Sequence, residues 1–245
     1  MLKEKTAIIT GASRGIGKAI AEIFAENNAF VGINYYKSQL FAEETFKKIK
    51  EKDGKAILLK GDVSNPKEVE SFIKKFVSKS KHIDILVNNA GIYERSNFEK
   101  ISHKTWNNVI STNLSGCFNV CKQAIPYMKP GGKIIFISSQ LAYRGSSHGA
   151  DYASSKAGML GLMRSLALEL ACKKINVNAV APGTIDTDII ANYSEEVRKQ
   201  RKKEIPLNRL GTPKDIANTC LFLASNLSDY ITGETINVNG GLYIH

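Results

Sequence analysis

The sequence lacks any run of about 18 apolar residues, the length that a membrane-spanning helix requires. The first residues, Met1-Leu2-Lys3-Glu4-Lys5-Thr6, lead directly into an apolar strand, without the layout of a signal peptide. We therefore expect a cytoplasmic protein without a membrane segment. The four cysteines form no CxxC pair and have no histidine at zinc spacing, so we predict reduced, mostly buried thiols and no metal site.

Acidic residues are few relative to basic ones, 23 Asp and Glu against 34 Lys and Arg, which gives a formal net charge of +11. Such a charge can indicate a nucleic-acid partner. Here the lysines and arginines are spread over several helix faces and form no single stripe. We therefore predict no nucleic-acid binding, and we expect the charge to attract anionic ligands such as a phosphorylated cofactor or an acidic carrier protein.

Repeats, low-complexity tracts and Pro/Gly-rich linkers are also absent, and 245 residues with 43% hydrophobic content can bury one sizeable core. Short β-branched runs alternate with helical patterns, which is typical of βαβ units. The predicted strands are 6–10, 30–34, 56–60, 83–88, 133–138, 175–180 and 235–238, and the predicted helices lie near 15–27, 39–52, 66–80, 102–128, 152–172 and 213–225.

This pattern predicts one α/β domain over residues 1–245, with a doubly wound (Rossmann) seven-stranded parallel sheet and helices on both faces. Ligands of such sheets bind beyond the carboxyl ends of the strands, so motifs at those ends have priority. The segment 184–210 is polar, basic and without firm apolar periodicity. We expect it to be a mobile cover over the site.

A glycine-rich turn follows the first strand and precedes a helical pattern. Its glycines allow a tight turn and close approach of the backbone to a pyrophosphate, and the helix N-terminus offers N–H groups to the phosphates. The spacing is GxxxGxG instead of GxGxxG, but the strand before it and the helix after it favour a dinucleotide site. The predicted cofactor-binding residues of this turn are Gly11, Ser13, Arg14, Gly15, Ile16 and Gly17.

The end of the second strand has no carboxylate to bind the ribose 2′-hydroxyl of NAD. It carries hydroxyls and a cation, at Tyr36, Lys37 and Ser38, and Arg14 supplies a second cation for a 2′-phosphate. We therefore predict NADP(H) as the cofactor. Which of these four residues bind the 2′-phosphate stays open.

Two further strand ends are predicted to contact the cofactor. Asp62 and Val63 follow the third strand, where Asp62 either accepts from an adenine amino group or caps the turn before Pro66. Asn89, Ala90 and Gly91 follow the fourth strand, and their small and amide side chains suit a wall beside the cofactor. The alternative there is a plain turn.

Tyr152 and Lys156 lie four apart at the start of a helical run, so their side chains leave the same face. A nearby ammonium stabilises a phenolate and brings a tyrosine toward the range useful for acid–base catalysis. Such a pair alone is usually only a surface contact. Its position after the fifth strand, beside Ser139 and downstream of a cofactor turn, favours catalysis, with Ser139 holding a substrate carbonyl oxygen while hydride arrives.

Over nearly its whole length the chain resembles the short-chain dehydrogenase/reductase family. The matching segments are Thr10–Gly17, Asn88–Gly91, Asn113, Ser139, the Tyr152-x-x-x-Lys156 pair and Pro182-Gly183. The resemblance implies that Tyr152 is the general acid, that Lys156 lowers its pKa and binds the nicotinamide ribose, and that Ser139 orients the carbonyl. The adjacent Ser138 is set aside because the family's usual step to the tyrosine matches Ser139.

The family resemblance has three further implications. Asn113 is expected to interrupt its helix and hold a proton-relay water. Pro182, Gly183 and Ile185 are expected to contact the cofactor, as are Tyr152 and Lys156. The long helices at 102–128 and 152–172 are expected to build a homotetramer.

Residues 209–213 and 230–241 resemble one subgroup of the family, the bacterial 3-oxoacyl-[acyl-carrier-protein] reductases. That resemblance implies reduction of a β-ketoacyl thioester to the (3R)-hydroxyacyl thioester in fatty acid synthesis. Lys129, Lys173 and Lys174 occur where basic residues of the subgroup meet the acidic carrier protein, although ordinary solvated lysines would look the same.

Three alternatives to this function stay open. The first is a reductase or dehydrogenase of another ketone or alcohol, such as a sugar, polyol, steroid or small xenobiotic ketone, with the same catalytic residues. The second, an enoyl reductase, is disfavoured because it would have a wider spacing than that between Tyr152 and Lys156. The third is a non-catalytic NADP-binding sensor, which would not need the full set of Asn113, Ser139, Tyr152 and Lys156.

Overall fold

The computed structural model describes residues 1–187 and 193–244, and its centre is a seven-stranded parallel sheet. The strands are β1 Thr6–Ile9, β2 Phe30–Tyr35, β3 Lys55–Lys60, β4 Ile83–Asn88, β5 Met128–Ile137, β6 Asn176–Pro182 and β7 Thr235–Val238. They pair in the order β3-β2-β1-β4-β5-β6-β7, with every neighbouring pair parallel. The predicted doubly wound sheet is confirmed.

The helices of the described chain connect these strands. They are α1 Gly15–Glu26, α2 Gln39–Glu51, α3 Pro66–Ser80, α4 His103–Ile110, α5 Gly116–Ala124, α6 Leu141–Arg144, α7 Ala150–Leu170, α8 Glu195–Glu204 and α9 Pro213–Ala224. A π-helical turn, Ser111–Ser115, joins α4 to α5. None of the helices in the described part of the chain is long and apolar enough to cross a membrane.

Two apolar layers cover the two faces of the sheet. One contains buried residues of α1, α2 and α9, and the other those of α3, α5 and α7. Along β1, Ala7 and Ile9 belong to the first layer and Ile8 to the second. Because both faces are covered, the central residues of most strands are apolar, which is why the sequence shows short β-branched apolar runs.

Two elements differ from the sequence-based expectation. The helix expected at 102–128 is divided by the π-helical turn and ends at Ala124, before a 3₁₀ turn that contains Pro126. Strand β5 begins at Met128, five residues earlier than expected, with a register shift against β4 between Ile83 and Ile85. The sequence Lys129-Pro130-Gly131-Gly132 has the composition of a turn, which conceals the first half of this strand.

The segment 184–210 contains a regular helix, α8, where an irregular cover was expected. Its N-cap Ser194 accepts from the Val197 N–H, its first turn carries Glu195 and Glu196, and its last turn is basic. These charges complement the helix dipole. No side chain of α8 is buried, so no apolar periodicity marked it. Residues 188–192, part of the expected cover, lie outside the described residues.

Candidate active site

A cavity of about 1050 Å³ lies at the carboxyl ends of the strands. It is lined by three predicted catalytic residues, Ser139, Tyr152 and Lys156, and by every predicted cofactor-binding residue: Gly11, Ser13, Arg14, Gly15, Ile16, Gly17, Tyr36, Lys37, Ser38, Asp62, Val63, Asn89, Ala90, Gly91, Pro182, Gly183 and Ile185. The predicted catalytic Asn113 is fully buried and does not line the cavity.

The glycine turn forms a closely packed cradle at one end of the cavity. Gly11 has φ +62°, and a Cβ there would lie 2.8 Å from the Ala90 Cα. A Cβ on Gly17 would overlap the Gly11 carbonyl oxygen and meet the Asn89 Nδ2 at 2.5 Å. Helix α1 begins within this turn, at Gly15, and directs its first N–H groups to the same place. The cradle therefore fits the pyrophosphate of a dinucleotide.

Two amide side chains hold this cradle in place. The sequence analysis missed Asn34 and predicted Asn89 only as part of a wall beside the cofactor. Asn34, at the end of β2, accepts from the Gly11 N–H (3.3 Å) and donates to the Leu59 and Gly61 carbonyls (both 3.1 Å). Asn89 donates from Nδ2 to the Thr10 and Gly11 carbonyls at 2.9 and 3.0 Å. Each amide thus satisfies backbone groups where strands end, and a carboxylate at either place could not donate these bonds.

The cations at this end lie against aromatic rings. The Arg14 guanidinium carbon is 5.7 Å from the centre of the Phe41 ring, and Lys37 Nζ is 5.1 Å from that of Tyr36. The end of β2 itself carries Asn34 and Tyr35, with no carboxylate. The local charge is therefore suited to a phosphate on the adenosine ribose.

Asp62 acts as a turn cap. Its Oδ1 accepts from the Ser64 N–H at 2.9 Å and from the Ser64 hydroxyl at 2.8 Å. The turn-cap alternative is therefore observed. Asp62 also lines the cavity, and the contact with an adenine stays a prediction.

Helix α7 and the end of β5 bring the three reacting side chains together. The Lys156 Nζ lies 5.6 Å from the centre of the Tyr152 ring and donates to the Ile137 carbonyl at 2.6 Å. The Ser139 hydroxyl lies close enough to the Tyr152 phenol to favour its ionised form and lower its pKa. Ser138, by contrast, donates its hydroxyl to the Lys156 carbonyl at 3.1 Å. Ser138 therefore supports the helix, while Ser139 faces the tyrosine.

Burial dominates the acidity of this pair. It raises the pKa of Tyr152 to about 12, although the Ser139 hydrogen bond acts in the opposite direction, and it lowers the pKa of Lys156 to about 8. Removal of water from the phenolate is the largest cause of the Tyr152 shift, and the predicted lowering of that pKa by Lys156 stays a prediction. At neutral pH Tyr152 therefore holds its proton and Lys156 is charged.

Asn113 lies in the π-helical turn between α4 and α5, as expected of a residue that interrupts its helix. Its Oδ1 accepts from the Ile92 N–H at 2.8 Å, and its Nδ2 donates to the Ile92 carbonyl and to the Ser155 hydroxyl, both at 3.0 Å. Asn113 thereby fastens the loop after β4 to α7, next to Lys156. The relay water stays a prediction.

Tyr93 and Gln140 are among the cavity-lining residues that the sequence analysis missed. The Tyr93 ring lies 4.5 Å from that of Tyr152, and its hydroxyl donates to the His148 carbonyl at 3.0 Å. Gln140 follows Ser139 and is buried, and its Oε1 has no hydrogen-bond partner among the described residues. Both follow predicted strand ends closely, which was the only sequence signal for them.

Comparisons with known proteins agree with this geometry. A family model described as Enoyl-(Acyl carrier protein) reductase matches residues 11–243. A Staphylococcus aureus protein named 3-oxoacyl-[acyl-carrier-protein] reductase FabG is 44% identical over 100% of both chains. Among solved structures, a Sinorhizobium meliloti dehydrogenase/reductase has a TM-score of 0.95 at 32% identity, covering 99% of this chain and 96% of that one.

A second solved structure is a Burkholderia cenocepacia short-chain dehydrogenase in complex with NADP. It has a TM-score of 0.94 at 30% identity, with 98% of each chain covered. The fold, the Ser139, Tyr152 and Lys156 arrangement and these matches define an oxidoreductase with a dinucleotide site. The chain belongs to the short-chain dehydrogenase/reductase family.

Proposed function

We propose that this protein is an NADPH-dependent carbonyl reductase that converts 3-oxoacyl-[acyl-carrier-protein] to the (3R)-3-hydroxyacyl form in fatty acid synthesis. The observation that carries the reaction type is the placement of Ser139, Tyr152 and Lys156 in one cavity, with the Lys156 Nζ 5.6 Å from the centre of the Tyr152 ring. The substrate follows from the 44% identity, over both full lengths, to a relative named as this reductase.

The cofactor, when bound, supplies hydride to the carbonyl carbon. Ser139 and Tyr152 are placed to donate hydrogen bonds to the carbonyl oxygen, and Tyr152 passes its proton to that oxygen as negative charge develops there. Lys156 stabilises the resulting phenolate and lies beside Gly91, at the wall expected to contact the nicotinamide ribose. The reaction therefore uses Tyr152 as the neutral phenol and Lys156 as the ammonium, and both forms predominate at neutral pH.

The matching family model bears the name of an enoyl reductase, which acts on a C=C bond. In this chain the three-residue gap between Tyr152 and Lys156 and the placement of Ser139 support reduction of a carbonyl. Reduction of another ketone with the same residues is the second candidate. A panel of ketones distinguishes the two.

The test follows oxidation of NADPH with acetoacetyl-[acyl-carrier-protein] beside sugar and aromatic ketones. We expect kcat/KM for the carrier thioester to exceed that for each other ketone by at least about 100-fold, since a reaction that uses binding energy from the whole substrate loses it with fragments. Turnover of the other ketones alone would keep the reaction type and reject the substrate.

The cofactor assignment predicts the effect of removing both cations near the second strand. For the Arg14→Ala/Lys37→Ala double variant we expect kcat/KM for NADPH to fall by about 100-fold or more, since each charge-assisted hydrogen bond is worth roughly 1.5–3 kcal/mol. The value for NADH should change less than about threefold. Steady-state kinetics with both cofactors measures this, and an equal loss with NADH would show that the two cations do not bind the 2′-phosphate.

The lysines predicted to meet a carrier protein are exposed, but they lie far from the cavity of their own chain. Lys129 is at the start of β5, and Lys173 and Lys174 precede β6, joined to that region by the Gly131 N–H bond to the Lys174 carbonyl (2.8 Å). The cavity is at the opposite, carboxyl ends of these strands. Within one chain, therefore, these lysines do not support delivery of substrate. The homotetramer and the cytoplasmic location stay predictions.

A further inference from the structure

The substrate end of the cavity is strongly cationic. Arg95 lies in the loop after β4, Arg144 ends α6, and His148 precedes α7, and all three line the cavity. Among the described lining residues the one carboxylate is Asp62, which lies at the cofactor end and is bound by Ser64. Neither Arg95 nor Arg144 has a carboxylate partner in the described part of the chain. This end therefore favours an anionic group.

A side pocket of about 260 Å³ opens from this end. It is lined by Arg95, Ser96, Asn97, Lys100 and His148. Arg95 and His148 line both spaces, so the side pocket adjoins the catalytic cavity. None of its lining residues is acidic, and its volume exceeds that of several water molecules, so it has room for a phosphate group.

The side-pocket residues are held by neutral partners, which leaves their charge uncompensated. The Arg95 guanidinium donates to the Tyr193 hydroxyl at 3.0 Å and lies 5.8 Å from the centre of that ring. The Nδ1 of His148 is hydrogen-bonded to the Asn97 Oδ1 at 2.9 Å, so its Nε2 is left for another partner. Arginine is suited to phosphate because its planar donors can bind two oxygens.

Tyr93 links the side pocket to the reacting centre by contacting a residue of each. Tyr93 bonds to the His148 carbonyl, and its ring packs on that of Tyr152 at 4.5 Å. Arg95 and Lys100 are at the same time exposed to solvent. A substrate held here can therefore have its reacting end at Tyr152 and continue outward past both cations.

We propose that this side pocket binds the phosphate of the pantetheine arm that carries the acyl thioester, with Arg95 and Lys100 as its cations. The inference rests on the proposed function, because it takes the substrate to be a pantetheine thioester. A carrier-bound arm and coenzyme A have this phosphate in common. Lys129 and Lys173 lie at the amino ends of their strands, opposite the cavity, whereas Arg95 lines the cavity itself and Lys100 lines the adjoining side pocket.

The test measures binding and needs no turnover, so it is separate from the proposed reaction. Calorimetry on the NADP-loaded protein compares 4′-phosphopantetheine with pantetheine. We expect the phosphorylated probe to bind at least tenfold more tightly. Arg95→Ala and Lys100→Ala should each reduce that ratio to about threefold or less without changing the affinity for pantetheine, whereas Lys100→Arg and the exposed Lys3→Ala should preserve it.

Three results would overturn the proposal: equal affinity of the wild-type protein for the two probes, no measurable binding of 4′-phosphopantetheine, or a ratio that both alanine variants leave intact. Kinetics then identify the source of the phosphate. If Lys100→Ala lowers kcat/KM for acetoacetyl thioesters of both coenzyme A and the carrier protein, the pocket serves both. A loss with coenzyme A alone assigns the pocket to that carrier, and a loss with neither rejects the role in turnover.

Discussion

Replacing Tyr152 with phenylalanine is expected to lower kcat by about 10³-fold while the protein still binds NADPH. The phenol shares the cavity with Ser139, and its ring lies beneath the Lys156 ammonium. Removing a general acid costs roughly 10²–10⁴-fold in rate. The ring itself remains and keeps its packing on Tyr93. Stopped-flow or steady-state oxidation of NADPH measures the rate, and fluorescence titration measures cofactor binding.

The matched control is Tyr93→Phe, which removes a hydroxyl from the neighbouring ring of the same cavity. Its hydroxyl binds the His148 carbonyl and no reacting group, so we expect kcat to fall less than about tenfold. If Tyr152→Phe kept more than a tenth of the wild-type kcat, the proton would have to come from another group, and the assignment of Tyr152 as the general acid would be wrong.

The sequence predicted the sheet well because both of its faces are buried. The β1 residues 7–9 alternate between the two apolar layers. Because both faces are buried, all three residues are apolar, and this run is visible in the sequence. The local motifs could be recognised from sequence for a different reason. The glycine turn and the Tyr152 to Lys156 step each lie within one short stretch of chain. The cavity lined by these motifs is the predicted one.

What the sequence did not predict depends on contacts between distant segments. Tyr93 reaches His148, 55 residues away, and Asn113 clamps Ile92 and Ser155, 21 and 42 residues away. Neither partnership leaves a periodic pattern. Helix α8 was missed because its stability comes from capping and charge, with no buried face. The effect of burial on the pKa of Tyr152 was also out of reach, because the depth of burial is a property of the packed site.

The burial of Lys156, which the reaction uses, also lowers the stability of the folded protein. Its pKa falls from 10.5 to about 8 on folding, so its charged form is favoured in the unfolded chain. The penalty is complete below pH 8 and disappears as the pH rises past 10.5. A change of this size corresponds to about 3 kcal/mol. Lys156→Met keeps most of the volume and removes the charge, so it should stabilise the cofactor-free protein at pH 7.

The expected net gain in the free energy of unfolding is about 2 kcal/mol, since the lost hydrogen bond to the Ile137 carbonyl offsets about 1 kcal/mol. The gain should shrink between pH 8 and pH 10, and catalytic activity should be lost in the same variant. Urea unfolding of the cofactor-free proteins across this range measures it.

Comparing the wild-type protein with Lys156→Met separates the effect of Lys156 on stability from that of other buried titratable groups. Burial also raises the pKa of Tyr152 and of the Cys121 and Cys220 thiols in both proteins, so their destabilising effect in alkali is shared. The buried Cys117 thiol interacts electrostatically with Lys156, so its effect differs between the two proteins and the comparison is cleanest at pH 7. Lys3→Met, at an exposed lysine, makes the same change in net charge and should leave stability within about 0.5 kcal/mol of wild type.

A loss of stability in Lys156→Met at pH 7 would mean that the ammonium is hydrated or paired in the folded protein. If the variant is instead more stable and inactive, the site keeps a buried charge at the expense of the fold, because the reaction requires it.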